Sequence, residues 1–237
     1  MSGPGHAPLI PVFALALLVL FALFAARAPS AAPEGVIVAL GDSLTAGWGV
    51  TPDEAYPAQL EARLRHEGFA YHVINAGVSG DTTAGGRRRL DWVLRSRPEI
   101  VIVALGNNDG LRGQPVAEMQ ANLIAIIERL QGSGAKVLLA GMRLPPNYGA
   151  YAREFAAAFP LAGRRATAFA PFLLDGVAAD PRLNQADGIH PNAAGHRVIA
   201  ERLWSYVLPL LRKDAILLRF PTHREKLLVD SSPGASR

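Results

Sequence analysis

"VIVALGDSLTAGWG", residues 36–49, decides the fold. Its first five residues are aliphatic, three of them β-branched, and lack the polar alternation of a half-solvated strand. They read as a strand buried on both faces, as in a parallel sheet. The apolar run stops at Gly41, and Asp42 and Ser43 follow where a turn or a helix start belongs. Ser43 is then either an ordinary turn residue, since Gly, Asp and Ser dominate turns, or a nucleophile held at the rim of the sheet.

Similar short apolar runs recur at 71–75, 100–105, 136–140 and 166–170. Between and after them lie longer amphipathic stretches at 52–66, 82–95, 115–131, 151–159 and 192–210. Strands alternating with helices predict an α/β domain over residues 35–211, doubly wound about a five-stranded parallel sheet. Such sheets bind ligands beyond the carboxyl ends of their strands. The segments in that position are Gly41-Asp42-Ser43, residues 76–81, Gly106-Asn107-Asn108-Asp109 and residues 142–149, all rich in turn formers.

The flanks differ from the domain. Residues 9–26 are almost wholly apolar and lead into the small-residue stretch "RAPSAAPEG". Residues 1–34 therefore read as an export signal, or as an uncleaved N-terminal membrane anchor plus linker, which places the protein in the periplasm or outside the cell. Against a cleaved signal, the first eight residues hold no Lys or Arg; a buried core helix is the other reading, because the run has no polar face. Residues 212–237 form a basic tail with six basic and three acidic residues. Since the chain's net charge is +4, the remainder is close to neutral, without the clustered basic face that nucleic-acid binding needs. Cysteine is absent, which excludes disulfides, a thiolate nucleophile and cysteine-based zinc sites.

Acyl transfer by a serine needs a base, a carboxylate to orient it, and donors for the developing oxyanion. Of six histidines, His6 precedes the apolar run, His223 lies in the tail, His66 ends a helix, His72 opens a strand and His196 lies within the last helix. His190 stands apart in "ADGIHPNAAGH", a loop with Asp187 three residues upstream, where a carboxylate can reach the far ring nitrogen and fix the tautomer. The alternative is a turn-forming Asp beside a surface His, ahead of an N-capping Asn192. The backbone N–H of Ser43, the amide of Gly77 and the side chain of Asn108 are candidate oxyanion donors, although Gly77 and Asn108 also suit ordinary turns.

Four blocks in this order, GDSL at 41–44, NAGVSGDT at 75–82, GNND at 106–109 and DGIH at 187–190, resemble those of the SGNH, or GDSL-type, hydrolases over residues 36–210. The resemblance implies a flavodoxin-like three-layer α/β/α sandwich, a catalytic triad of Ser43, His190 and Asp187, and an oxyanion hole of Ser43, Gly77 and Asn108. "NAGVSGDTTAGGRRRLDWVL", "LGNNDGLRG", "RLPPNYGAYAREF" and "DGIHPNAAGH" are similar to the branch of bacterial acyl-CoA thioesterase I, also known as lysophospholipase and arylesterase. Asn107 departs from the Gly usual in that branch, which implies an altered loop wall. The implied activity is hydrolysis of small-molecule acyl esters and thioesters by a monomer with no cofactor and no metal. An acyl chain needs an apolar groove, with Leu111, Leu144, Pro145, Tyr148 and Ile189 as candidate walls; plain packing explains the same side chains equally well. Arg87, Arg88 and Arg89 either attract a phosphate-bearing substrate or form a solvated helix face. A carbohydrate acetylesterase of the same fold and a non-catalytic exported binding module are the rival functions. The Gly-Lys-Ser/Thr of a phosphate-binding loop and the Gly-x-Ser-x-Gly elbow of α/β-hydrolases are both missing.

Overall fold

A computed structural model describes residues 35–211. The expected export segment with its linker (1–34) and the basic tail (212–237) lie outside the described residues. Five strands, β1 (Gly35–Gly41), β2 (Tyr71–Gly77), β3 (Ile100–Ala104), β4 (Lys136–Ala140) and β5 (Ala168–Ala170), form one sheet in the order β2-β1-β3-β4-β5. Every pairing is parallel. All five residues of β3 are buried, as a central strand covered on both faces requires. On β2, an edge strand, His72 and Asn75 face solvent while Tyr71, Val73 and Ala76 are buried.

Eight α-helices connect and flank the strands among the described residues: α1 (Ser43–Ala46), α2 (Tyr56–His66), α3 (Thr83–Arg88), α4 (Leu90–Leu94), α5 (Asn107–Leu111), α6 (Val116–Gln131), α7 (Gly149–Gly163) and α8 (Ala193–Val207). From β1 the chain steps one way along the sheet to β2, then returns past β1 to β3 and continues to β4 and β5. Because such crossovers are right-handed, the reversal puts helices on opposite faces. Accordingly α2 packs with α8, and α3, α4 and α7 pack with α6. The strand order reverses between β1 and β3, the place where open α/β sheets leave a crevice for ligands. Ser43 follows β1 at that crevice, and Asn108 follows β3.

Three helical stretches depart from their expected extents. The stretch 82–95 is two helices, not one, broken at Arg89 (φ −102°, ψ 11°). The helix expected at 52–66 begins only at Tyr56, since Glu54 and Ala55 turn back onto the Thr51 carbonyl and Pro57 sits in the first turn. The helix expected to stop before Pro160 runs to Gly163, with Phe155, Phe159 and Ala162 buried beneath it; burial of that face outweighs the hydrogen bond that Pro160 cannot donate.

Candidate active site

Asp42 caps α1: its Oδ1 accepts from Leu44 N–H at 3.0 Å, which orients the four-residue helix and leaves Ser43 as its first residue. The Ser43 hydroxyl lies 2.9 Å from His190 Nε2, and His190 Nδ1 lies 2.7 Å from Asp187 Oδ2. The other oxygen, Asp187 Oδ1, accepts from the backbone N–H of Ile189 at 2.9 Å and of His190 at 3.0 Å. One carboxylate thus holds both the ring and the loop that carries it. The His190 N–H, the imidazole and the Ile189 N–H, in that order, draw the Asp187 carboxyl down to about 2, so it stays ionised at any working pH and keeps Nδ1 as the protonated nitrogen.

The histidine loop is itself pinned. Gln185 N–H donates to the His190 carbonyl at 2.8 Å and Asn192 N–H to that of Leu183 at 2.9 Å. Asn192 then caps α8 through Ala194 N–H and Gly195 N–H. Buried Asn184 ties the loop inward through the carbonyls of Val177 and Asp180.

Two of the three expected oxyanion donors keep a hydrogen without an acceptor among the described residues. The Ser43 N–H finds no acceptor among the described residues. Asn108 Nδ2 donates one of its two hydrogens to Asp42 Oδ2 at 3.2 Å, which fixes the carboxamide and leaves the second hydrogen for a ligand. Gly77 is a correction. Val78 N–H is the one directed at β1, donating to Gly41 O; N–H groups alternate along a strand, so that of Gly77 points off the free edge of β2, where Asn75 Oδ1 accepts it at 3.0 Å. Its missing side chain serves packing instead: a Cβ there would lie 2.1 Å from Ala46 N, within the backbone of α1. Three residues on, Gly80 has φ +80° in a turn closed by Asp81 N–H to Val78 O, and its own N–H meets no acceptor among the described residues.

Sequence reasoning missed two side chains. Asp42 is buried, and burial pushes its carboxyl up to about 6 against the pull of Leu44 N–H and the Asn108 amide; the sign available in the sequence was an Asp directly ahead of a helix start. Arg89 is no solvated helix face. Its Nε donates to Asp81 Oδ2 at 2.7 Å, Nη1 to Ala76 O at 2.6 Å and Nη2 to Gly41 O at 2.8 Å. One guanidinium therefore ties the ends of β1 and β2 to the turn bearing Gly80, while Arg112 Nη2 holds the Gly80 carbonyl at 3.0 Å.

The expected groove walls divide. Ile189 is exposed beside His190. Leu111 and Tyr148 are half-buried and joined by a Tyr148 hydroxyl to Leu111 carbonyl bond at 3.3 Å. Leu144 is buried, and the Cα of Gly110 comes so close that a Cβ there would sit 2.9 Å from Leu144 Cδ2, so it is largely core. Pro145 is exposed. Asn107 is half-buried at the start of α5. A cleft of about 280 Å³ is lined by Leu144, Pro146, Gly149 and Ala152, and Ser43 is not part of its lining. Among the described residues no three His, Asp or Glu side chains are grouped to hold a metal ion, and no helix is long and apolar enough to cross a membrane.

A family model described as the GDSL-like Lipase/Acylhydrolase family matches residues 39–198. The chain belongs to this family. Among its GDSL-like relatives, Esterase TesA of Pseudomonas aeruginosa is 42% identical over 181 residues, covering 74% of this chain and 89% of the relative. Thioesterase 1/protease 1/lysophospholipase L1 of Escherichia coli strain K12 is 36% identical over 188 residues, 78% of this chain and 89% of the relative. The crystal structure of TesA superposes with a TM-score of 0.72 at 41% identity, covering 74% of this chain and 99% of that one. The family membership and these relatives make the chain an ester hydrolase with the SGNH fold.

Proposed function

We propose that the protein hydrolyses small-molecule acyl esters and thioesters through Ser43, His190 and Asp187. Ser43 Oγ attacks the carbonyl carbon as its proton passes to His190 Nε2. The oxyanion is held by the Ser43 N–H, the free hydrogen of the Asn108 amide and the Gly80 N–H, which takes the part first assigned to Gly77. Each such donor is worth about 2.7 to 4 kcal/mol in the transition state. The carbon–oxygen or carbon–sulfur bond then breaks, His190 gives its proton to the departing alcohol or thiol, and an acyl-Ser43 ester remains. Water attacks that ester, its proton goes to His190, and the acid leaves as Ser43 regains its hydrogen. Asp187 steadies the imidazolium in both halves.

A single observation carries this reading: the unbroken series from Ser43 Oγ through His190 to Asp187, at 2.9 and 2.7 Å. The unused N–H of Ser43 and the fixed Asn108 amide support it. We infer as well that residues 1–34 direct export, so that hydrolysis takes place in the periplasm or outside the cell. The test is a panel of acyl-CoA, lysophospholipid, aryl ester and acetylated sugar, run on wild type and Ser43→Ala, with an organophosphonate probe. The reading expects turnover of the first three, loss of that turnover in Ser43→Ala, and a phosphonate adduct on Ser43. Activity confined to acetylated sugars would move the specificity, and esterase activity surviving Ser43→Ala would overturn the mechanism.

A further inference from the structure

Trp48 is the most exposed large apolar side chain among the described residues, at 56%. Its ring centroid lies 6.2 Å from that of the His190 imidazole, tilted by 41°. The position is built, because Trp48 N–H donates to the Ser43 carbonyl at 3.1 Å and its own carbonyl accepts from Gln185 Nε2 at 2.6 Å. The same Gln185 nitrogen donates to Pro191 O at 2.9 Å, so one amide couples the tryptophan to the histidine loop. Gly47 (φ +82°) and Gly49 (φ +75°) bracket it, turning the chain so that the indole projects into water. Ile189, next to His190 in the chain, is 48% exposed. A large aromatic ring held in solvent beside an acid–base group is a surface for a ligand.

We propose that Trp48 forms the leaving-group subsite, on which an aryl or similarly flat alcohol portion of the ester stacks. The inference rests on the Ser43–His190 reading above. The departing oxygen must meet His190 Nε2 to take its proton, so whatever that oxygen carries emerges beside the imidazole, where the indole stands. Acylation breaks the bond to this group. The same acyl-Ser43 then forms from every ester of one acid, and selectivity between alcohols at constant acyl chain isolates this subsite from the acyl groove.

The experiment compares kcat/KM for phenyl butyrate and ethyl butyrate in wild type, Trp48→Ala and Trp48→Phe, with phosphonate labelling of Ser43 in each. The greater intrinsic reactivity of the phenyl ester is common to all three and divides out. Trp48→Ala is expected to lower the phenyl-to-ethyl ratio on the order of tenfold, and Trp48→Phe to restore most of it. The side chain is exposed, so a thermal melt at the wild-type temperature shows the fold intact. An unchanged ratio in a variant that still labels overturns the subsite alone. So does a loss that instead grows with acyl length across ethyl acetate, butyrate and octanoate, which would assign the indole to the acyl chain. Wild type that fails to label at Ser43 overturns the hydrolytic reading, and this inference with it.

Discussion

Replacing Asp42 with Asn removes a buried carboxylate and keeps an oxygen for Leu44 N–H, while its amide nitrogen can no longer accept from Asn108 Nδ2. Burial raises the carboxyl from 3.8 to about 6. Across that interval the folded protein keeps a proton that the unfolded chain has released, so this group's contribution falls as pH rises from about 4 to about 6. At 1.36 kcal/mol per unit the total is about 3 kcal/mol. His196 acts in the opposite sense. It is buried, its Nδ1 accepts Tyr56 N–H at 3.2 Å, its Nε2 has no partner among the described residues, and burial draws its pKa from 6.5 down to about 4. Here the unfolded chain takes the proton first, so stability from this group is complete above about 6.5 and is lost as pH falls towards 4, again by about 3 kcal/mol. In wild type the two slopes nearly cancel. Asp42→Asn exposes the histidine slope, and His196→Gln, which keeps an acceptor for Tyr56 N–H, exposes the aspartate slope. Urea unfolding followed by circular dichroism at pH 4, 5, 6 and 7 measures both, read as variant minus wild type so that all other groups cancel. The Asp42→Asn difference should climb by about 3 kcal/mol from pH 4 to pH 7, and the His196→Gln difference should fall by about as much. A flat difference for Asp42→Asn, within about 0.5 kcal/mol, would refute the claim that its buried carboxylate is held at a cost.

Further outcomes follow from contacts at the site. Gly77→Ala drives a methyl group into the α1 backbone, 2.1 Å from Ala46 N and 2.6 Å from Ala46 Cα; it should cost at least about 2 kcal/mol and displace Ser43, lowering kcat. Gly80→Ala meets no atom closer than Arg112 Nη2 at 3.6 Å but strains a left-handed backbone by about 1 to 2 kcal/mol, so thermal melts should rank Gly77→Ala as the more damaging, and the reverse order would sink the packing role. Arg89→Met removes the cation beside the Asp81 carboxylate and one donor from each of the Ala76 and Gly41 carbonyls, and a loss of about 2 to 3 kcal/mol is expected in urea; Arg89→Lys should recover little, because a point charge cannot span three acceptors. Asp187→Asn should lower kcat by about 10³ to 10⁴ with little change in KM, measured on an aryl ester.

The sheet was legible because its central strands β1 and β3 are aliphatic runs that no amphipathic helix imitates. Element ends were less so: Ala76 and Gly77 extend β2 only because Leu40 and Gly41 lie beside them to pair with, a partnership that no local pattern records. Ser43 and Asn108 lie in the first turns of the short helices that follow β1 and β3, and Asp187 and His190 in the loop that leads into α8, so the ends of the sheet that carry them were set by the topology. Gly77 misled because the direction of an amide depends on register within an edge strand, which glycine content does not reveal. Arg89 misled for a related reason: three consecutive arginines look like a solvated face until the carbonyls of Gly41 and Ala76 are brought alongside the third. Asp42 stood inside the stretch that decided the fold, but its burial exists only once the loops after β1 and β3 have closed over it.

The partners Ser43 and His190 are 147 positions apart, one just after β1 and the other just before α8. A chain growing from its amino end therefore completes the hydroxyl-bearing half long before any imidazole can reach it. On the proposed mechanism, partial products ending short of the loop before α8 would carry an inert serine, and contacts of such long sequence separation are slow to form during folding. On the proposed mechanism, turnover reports that the loop before α8 has reached Ser43: a nascent or half-refolded molecule without that contact is silent towards esters, and the onset of turnover on refolding should trail the recovery of helical signal.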